Sequence, residues 1–306
     1  MKPMLTARTH QNTVWADLVD PTTEDLESLV SEYGVHPFAA ETLLSVSPKP
    51  GVALYDNFIR ASFHFPASEE NMTSTPDEIG FLVGEKLVAS VRRGPRDPFH
   101  ELVKSLEMSD LLEREVVGTH AGHLFVSIMR HLYSVADARI ARLEQHLRDI
   151  EKDIFSGKEK EMVFELSKAS GEILALRAAF RFHKEALVDY EEAARAFFGP
   201  DYRVYAATLQ GDWERLRVAL GNARNFLSEL RTTNHSLLTT KQNEVMQLFT
   251  IAAFITFPLV LLAQLLAINT PSNPIMANQN AFWIITGIVV ALALIMLLHF
   301  RRKGWL

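Results

Sequence analysis

From residue 245 to residue 300 the chain carries no Asp, Glu, Lys or Arg, although 22% of its residues are charged. These fifty-six residues are too many for a core helix and lie too far from the N-terminus for a cleaved signal. A wholly soluble protein is therefore excluded. Every formal charge falls in the other 250 residues, which describes a water-facing portion of substantial size. Cysteine is absent, so disulfides, thiol nucleophiles and Cys-ligated zinc or iron–sulfur centres have no residues to build them. A net charge of −6 leaves no basic stripe to neutralise phosphates, which argues against a nucleic-acid partner. The first ten residues lack an apolar run of the secretory type, so the large N-terminal part is expected to stay in the cytoplasm.

Proline separates two zones within the charged part. Nine of the thirteen prolines fall at or before Pro98, and only Pro200 interrupts the next 159 residues. In the first zone, the runs starting at Phe58, Ile79 and Leu87 are β-branched and aromatic and read as strands with tight turns. Thr22 followed by Glu24 and Asp25 reads as a capped helix start. The zone is mixed α/β. In the second zone, Leu124, Ile128, Leu132 and Val135 form one stripe at helical spacing, and Ile173, Leu176, Ala179 and Phe180 form another. Gly118, Gly157 and Gly199-Pro200 are the expected breaks between long antiparallel helices. A last helix starting near Asp201 meets no proline before Pro258 and could run roughly 85–100 Å, which suggests an oligomeric stalk entering a membrane.

The uncharged zone divides into two spans, 245–268 and 281–300, each near the ~20 residues that cross a bilayer core. The loop 269–280 between them is polar, neutral and broken by prolines. Phe282 and Trp283 suit an interfacial belt, and Arg301, Arg302 and Lys303 after the second span place the C-terminus in the cytoplasm. Two spans return the N-terminal domain to that same side. The expected organisation is a cytoplasmic α/β domain at 1–100, a helical hairpin region at 101–200 and a stalk helix at 201–244. The two spans and their external loop follow, then a basic cytoplasmic tail at 301–306.

Two spans cannot enclose a path alone, so transport needs several copies around an axis. On the first span, Asn243, Thr250, Phe257 and Gln264 recur every seven residues and share one face. Amides and a hydroxyl on that face are unfavourable toward lipid. They either join helices by hydrogen bonds or line an aqueous path. Phe257 either packs between helices or closes a pore by dewetting, and Pro258 deprives the carbonyl one turn earlier of its donor.

With these features the sequence resembles the CorA family of divalent-cation channels. The resemblance rests on the segment from Thr233 to Gln247, Phe257-Pro258-Leu259, Phe282-Trp283, the ending Lys303-Gly304-Trp305-Leu306 and, near the start, the run from Val14 to Leu26 and Tyr33-Gly-Val-His-Pro. It covers nearly the whole chain. It implies a homopentameric funnel in the cell inner membrane, with the first spans lining the pore and the chain's own copies, the bilayer and divalent cations as partners. The implied ion pathway is Asn269, Gln264, Val260, Phe257, Thr250, Met246 and Asn243. Hydrated Mg²⁺, or Co²⁺ or Ni²⁺, would be substrate, and a divalent ion would also act as regulator. No resident cofactor and no catalytic site are expected.

The departures from the family fall at the outer mouth. Its Gly-Met-Asn signature reads Ala267-Ile268-Asn269 here, and the retained asparagine can bind the water shell of Mg²⁺ without stripping it. Ala267 is costly if that position needs a left-handed backbone. Gln264 and Val260 stand where relatives have a small residue and a threonine, and the outer loop has no acid. The family's cytoplasmic regulatory carboxylates would correspond to Glu69, Glu70 and Asp77 in the first domain and Asp212 in the stalk, with Thr208 at the aligned stalk position. A proton-coupled zinc transporter of the ZntB type and a non-conducting scaffold or sensor are the alternatives that this altered triplet leaves open. His120 and His123 have helical spacing but no identifiable third ligand, and the charged run 148–161 reads as a solvated helix tip.

Overall fold

The structure, a computed structural model, describes residues 5–10, 13–44, 49–67, 76–93, 98–111, 120–268 and 280–304. It divides into two compact units, Met1–Arg231 and Thr232–Leu306, each with its own packing.

The first unit is built on a six-stranded sheet. Its strands are β1 (Leu5–His10), β2 (Thr13–Val19), β3 (Gly51–Leu54), β4 (Ile59–Phe65), β5 (Asp77–Val83) and β6 (Leu87–Arg92), in the order β1-β2-β6-β5-β4-β3. Among the described strands, only β2 and β6 pair in parallel. All six residues of β6 are buried because strands flank it on both sides and helices cover both faces. A polar relay joins the parallel pair inside this core. The Trp15 indole donates to Ser90 Oγ (3.0 Å), Ser90 donates to Asp17 Oδ1 (2.6 Å), and Arg92 Nε donates to Asp17 Oδ2 (3.1 Å).

On one face lie α1 (Thr23–Tyr33) and α2 (Pro37–Thr42), whose Leu26, Leu29 and Ala39 pack on Leu18, Leu82 and Ala89. Thr22 and Asp25 form a reciprocal capping box at the start of α1, and Gly34, at φ 66°, closes its end. The other face takes α4 (Ala121–Phe155), α5 (Glu159–Phe180) and α6 (His183–Phe198). There the Phe81 ring stands 5.2 Å from Phe125 of α4, which stands 4.5 Å from Tyr190 of α6. A further helix, α3, covers His100–Leu111.

Gly157 and Gly199, both at φ 96°, end α4 and α6 as the sequence predicts, while Gly118 lies outside the described residues. The break between α5 and α6 has neither glycine nor proline. It falls at Arg181-Phe182, where the chain turns so that Phe180 and His183 both face the end of β4. His183 is held there by the His64 carbonyl (2.7 Å) and the Tyr133 hydroxyl (3.0 Å).

After a 3₁₀ turn at Pro200–Tyr202, α7 runs from Arg203 to Ala267. Within the first unit its buried residues are Ala206, Leu209, Trp213, Leu216, Leu220, Ala223, Leu227 and Leu230. Strict alternation of threes and fours is a 3.5-residue period, the seam of a left-handed coiled coil. Met162, Leu166, Ala169, Ile173, Leu176 and Phe180 give α5 the same period.

The second unit holds the rest of α7 and α8 (Ala281–Arg302). Both helices are long and apolar enough to cross a membrane, and their apolar windows are almost wholly exposed, so neither is a core helix. Half-buried stripes run along Ile255, Leu259, Leu262 and Leu266 on α7, and along Ile285, Val289, Leu292 and Met296 on α8.

Candidate ion pathway

The end of α7 carries a second stripe, distinct from the half-buried one. Asn243, Met246, Thr250, Phe257, Val260 and Gln264 are all exposed, Phe257 at 76%. With Ala253 and Ala267 they recur at alternating threes and fours, so they form one continuous seam at the coiled-coil period. Ala253 is the member that residue chemistry did not single out, because a lone alanine carries no signal until the spacing is complete. The Thr250 hydroxyl donates back to the Met246 carbonyl (2.8 Å), which leaves its oxygen lone pairs turned outward. Pro258 lies inside the unbroken helix, so the Phe254 carbonyl is deprived of its usual i+4 donor beside Phe257.

Ala267 is the last helical residue, and no described non-glycine residue other than Asp20 has positive φ. The cost anticipated for alanine at a left-handed position therefore does not arise; a good helix former extends the span instead. Ile268 follows the helix, and Asn269 lies outside the described residues. Arg301 and Arg302 close α8, and their charges suit its C-terminal dipole.

The expected regulatory acids are scattered. Glu69 and Glu70 lie outside the described residues. Asp77 begins β5 beside a small cavity also lined by Glu78, Arg92, Arg93, Arg139 and Arg142, so arginines outnumber the acids there. Asp212 accepts from Arg130 (3.2 Å) and also from Arg215. Thr208 donates back to the Tyr205 carbonyl (2.7 Å). Among the described residues, no three His, Asp or Glu side chains are grouped to hold a metal ion. His120 caps α4, accepting from the Gly122 amide (3.2 Å), and stacks on Phe198 at 4.5 Å. The charged run after Arg148 bridges the α4–α5 turn with exposed pairs such as Lys158–Asp153 (2.8 Å).

A six-stranded α/β domain carrying long helices, together with two lipid-length helices of which the first bears a polar seam, defines a membrane protein with the elements of an ion conductor. Comparison with known proteins gives the class its family: the chain belongs to the CorA-like Mg²⁺ transporter proteins, matching over residues 10–302. The cobalt/magnesium transport protein CorA of Methanocaldococcus jannaschii is 20% identical over 296 residues, 96% of this chain and 91% of that protein. The complete structure of the CorA magnesium transporter from that organism superposes with a TM-score of 0.82 at 20% identity, covering 96% of this chain and 92% of that one. The full-length CmaX protein gives 0.70 at 18% identity, over 96% and 89%. The ZntB cytoplasmic domain from Vibrio parahaemolyticus gives 0.53 at 16%, over 76% and 91%. At these identities the superpositions establish the fold.

Proposed function

We propose that the protein moves hydrated divalent cations, Mg²⁺ first and Co²⁺ or Ni²⁺ as lesser substrates, through a pore shared by five copies of the chain in the cell inner membrane. The observation that carries this reading is the α7 seam. Asn243 just before the span, and Thr250 and Gln264 within it, put two amides and a hydroxyl on one exposed face, where lipid offers them nothing. Assembled about an axis, the seam surrounds a path of amides, a hydroxyl and one aromatic constriction. A hydrated ion suits such a path, because Mg²⁺ gives up its water reluctantly and neutral oxygens bind that shell from outside. Asn269 forms the entry, and the ion then passes Gln264, Val260, Phe257, Thr250, Met246 and Asn243.

Two positive charges gain about 4.6 kcal/mol per 100 mV of inside-negative potential. Voltage alone therefore drives entry. Arg301, Arg302 and Lys303 put both termini in the cytoplasm by the positive-inside rule. Regulation by bound divalent ions through Asp77 or Asp212 is weak on this reading, because arginines surround both.

The test is ion flux into liposomes containing the purified protein, with Mg²⁺, Co²⁺, Ni²⁺ and Zn²⁺, with and without a pH gradient. Voltage-driven Mg²⁺ uptake that ignores the pH gradient and disappears in Asn269→Ala is expected. Zn²⁺ uptake that requires a pH gradient would replace this reading with proton-coupled zinc transport. An intact assembly passing no cation would replace it with a scaffold or sensor.

A further inference from the structure

Two helices of the first unit bring four guanidiniums to one cleft. Arg177 in the last turn of α5 and Arg181 at its C-terminal cap, with Arg217 and Arg224 two turns apart on α7, all line a cleft of about 380 Å³. Its floor is Phe180, Trp213, Leu216 and Leu220, none more than 8% exposed. The Trp213 indole N–H is directed at the Phe180 carbonyl (3.4 Å), so the floor presents apolar surface and no carboxylate.

Several arginines elsewhere in the unit are already neutralised. Arg92, Arg130, Arg139 and Arg203 each meet a carboxylate: Asp17, Asp212, Glu172 and Glu191. In the cleft only Arg217 does, with Glu214 on its own helix. Among the described residues, Arg177, Arg181 and Arg224 have no carboxylate partner, and Arg181 lies over the Phe182 ring at 5.0 Å. Gly221 sits between Arg217 and Arg224. A Cβ there would meet nothing within 4 Å, and its φ is not positive, so neither packing nor backbone geometry in this chain calls for glycine. In a helix interior glycine is unfavourable. Its effect is to leave the space above the floor open.

We infer that this cleft is a binding site for a polyphosphate: an anion with two or more linked phosphoryl groups, taken between the α5 pair and the α7 pair of arginines. Guanidinium forks match phosphate oxygens two at a time. A cleft of about 380 Å³ falls within the roughly 300–1,000 Å³ that hold a small organic ligand. The apolar floor gives the base of a nucleoside polyphosphate somewhere to lie. Phosphate bonds to both helices clamp α5 against α7, so the ligand stiffens the unit whether or not an ion is passing.

The full-length protein in detergent, with EDTA to remove divalent ions, is titrated calorimetrically with ATP, inorganic tripolyphosphate and adenosine. Saturable binding of ATP and tripolyphosphate that weakens as salt rises, with none for adenosine, is expected. Tighter binding of ATP identifies a nucleotide site, and equal affinities identify the phosphates as sufficient. The double variant Arg181→Ala/Arg224→Ala should lose at least about a hundredfold in affinity, given the strength of charge-assisted bidentate bonds. Gly221→Leu should block the cleft. Glu214→Gln should tighten binding by releasing Arg217. Circular dichroism checks that each variant is folded. The inference is overturned if neither phosphate compound saturates by about 5 mM, a range in which even weak specific sites fill. It is also overturned if the double variant binds as the parent does, or if the parent binds nothing while Arg224→Glu reduces the size of the assembly, which would make the cleft a contact between copies.

Discussion

Phe257 and Gln264 lie two turns apart on the same exposed face of α7, an aromatic ring followed by an amide on the way to the outer end of the span. Their order sets distinct roles on the proposed pathway. The ring can close a narrow path by excluding water, whereas the amide can hold a hydrated ion. Phe257→Ala should raise Mg²⁺ flux into liposomes several-fold, in line with loss of a dewetting constriction. Gln264→Leu should lower it by an order of magnitude or more, since no other polar group in the described part of α7 outward of Phe257 can take its place. Equal effects of the two substitutions would argue that the face packs helices and conducts nothing.

Asp212 bears on regulation. With Arg130 and Arg215 both bonded to it, its charge is already compensated before any divalent ion arrives. Asp212→Asn is therefore expected to leave the dependence of flux on internal Mg²⁺ unchanged. It should cost about 1 kcal/mol or less in thermal stability, as exposed ion pairs do. A loss of Mg²⁺ inhibition in this variant would restore Asp212 as a regulatory ligand and show that its arginines let go when the ion binds.

The elements that local chemistry specifies were legible in the sequence. Thr22 and Asp25 announce α1 because a capping box needs only residues three apart. The β-branched and aromatic run of β4 and the glycines that close α4 and α6 are equally local. The edge strand β1, Leu-Thr-Ala-Arg-Thr-His, was not legible, because it has too few apolar residues to announce a strand and forms by pairing with β2. Nor was the turn at Arg181-Phe182, which answers to the contacts of Phe180 and His183 with β4. The heptad positions from Asn243 to Gln264 could be read directly, since the spacing is the signal. The partner of Asp212 could not, because Arg130 is 82 residues away and only the packing of α4 on α7 brings them together. The arginine cleft is hidden for the same reason: its halves belong to helices joined by no sequence pattern.

The coiled-coil seam of α7 within the first unit makes a positional prediction. Leu209 is fully buried and Val204 is 71% exposed, although they lie within two turns of each other. Leu209→Ala should destabilise the first unit by about 2–5 kcal/mol through lost contacts and a residual cavity. Val204→Ala should change it by less than about 0.5 kcal/mol. Thermal unfolding followed by circular dichroism distinguishes them, and a comparable loss at both positions would mean that Val204 is covered by another copy.

Acid should loosen the first unit through His183. Burial pushes its imidazole down from 6.5 to about 3, against the opposing pull of the His64 carbonyl. The carbonyl accepts from Nε2, so Nδ1 is the unprotonated nitrogen that takes the Tyr133 proton, and the surrounding rings of Phe63, Phe65 and Phe180 offer no charge to balance an imidazolium. His120 is held at about 4, by burial first and by neighbouring His123 second. Both histidines are neutral in the folded chain, while the unfolded chain takes up protons near 6.5. Their contribution is thus complete above that pH and is lost as pH falls below it, by at most about 1.4 kcal/mol per pH unit for the buried His183 and by less for the half-exposed His120. Thermal midpoints should be level from about pH 8 to 7 and decline steadily toward pH 5. His183→Gln keeps a donor for the His64 carbonyl but cannot be protonated, so it should lower the midpoint at neutral pH and flatten the acid decline. An unchanged acid slope in that variant would place the proton uptake on other groups.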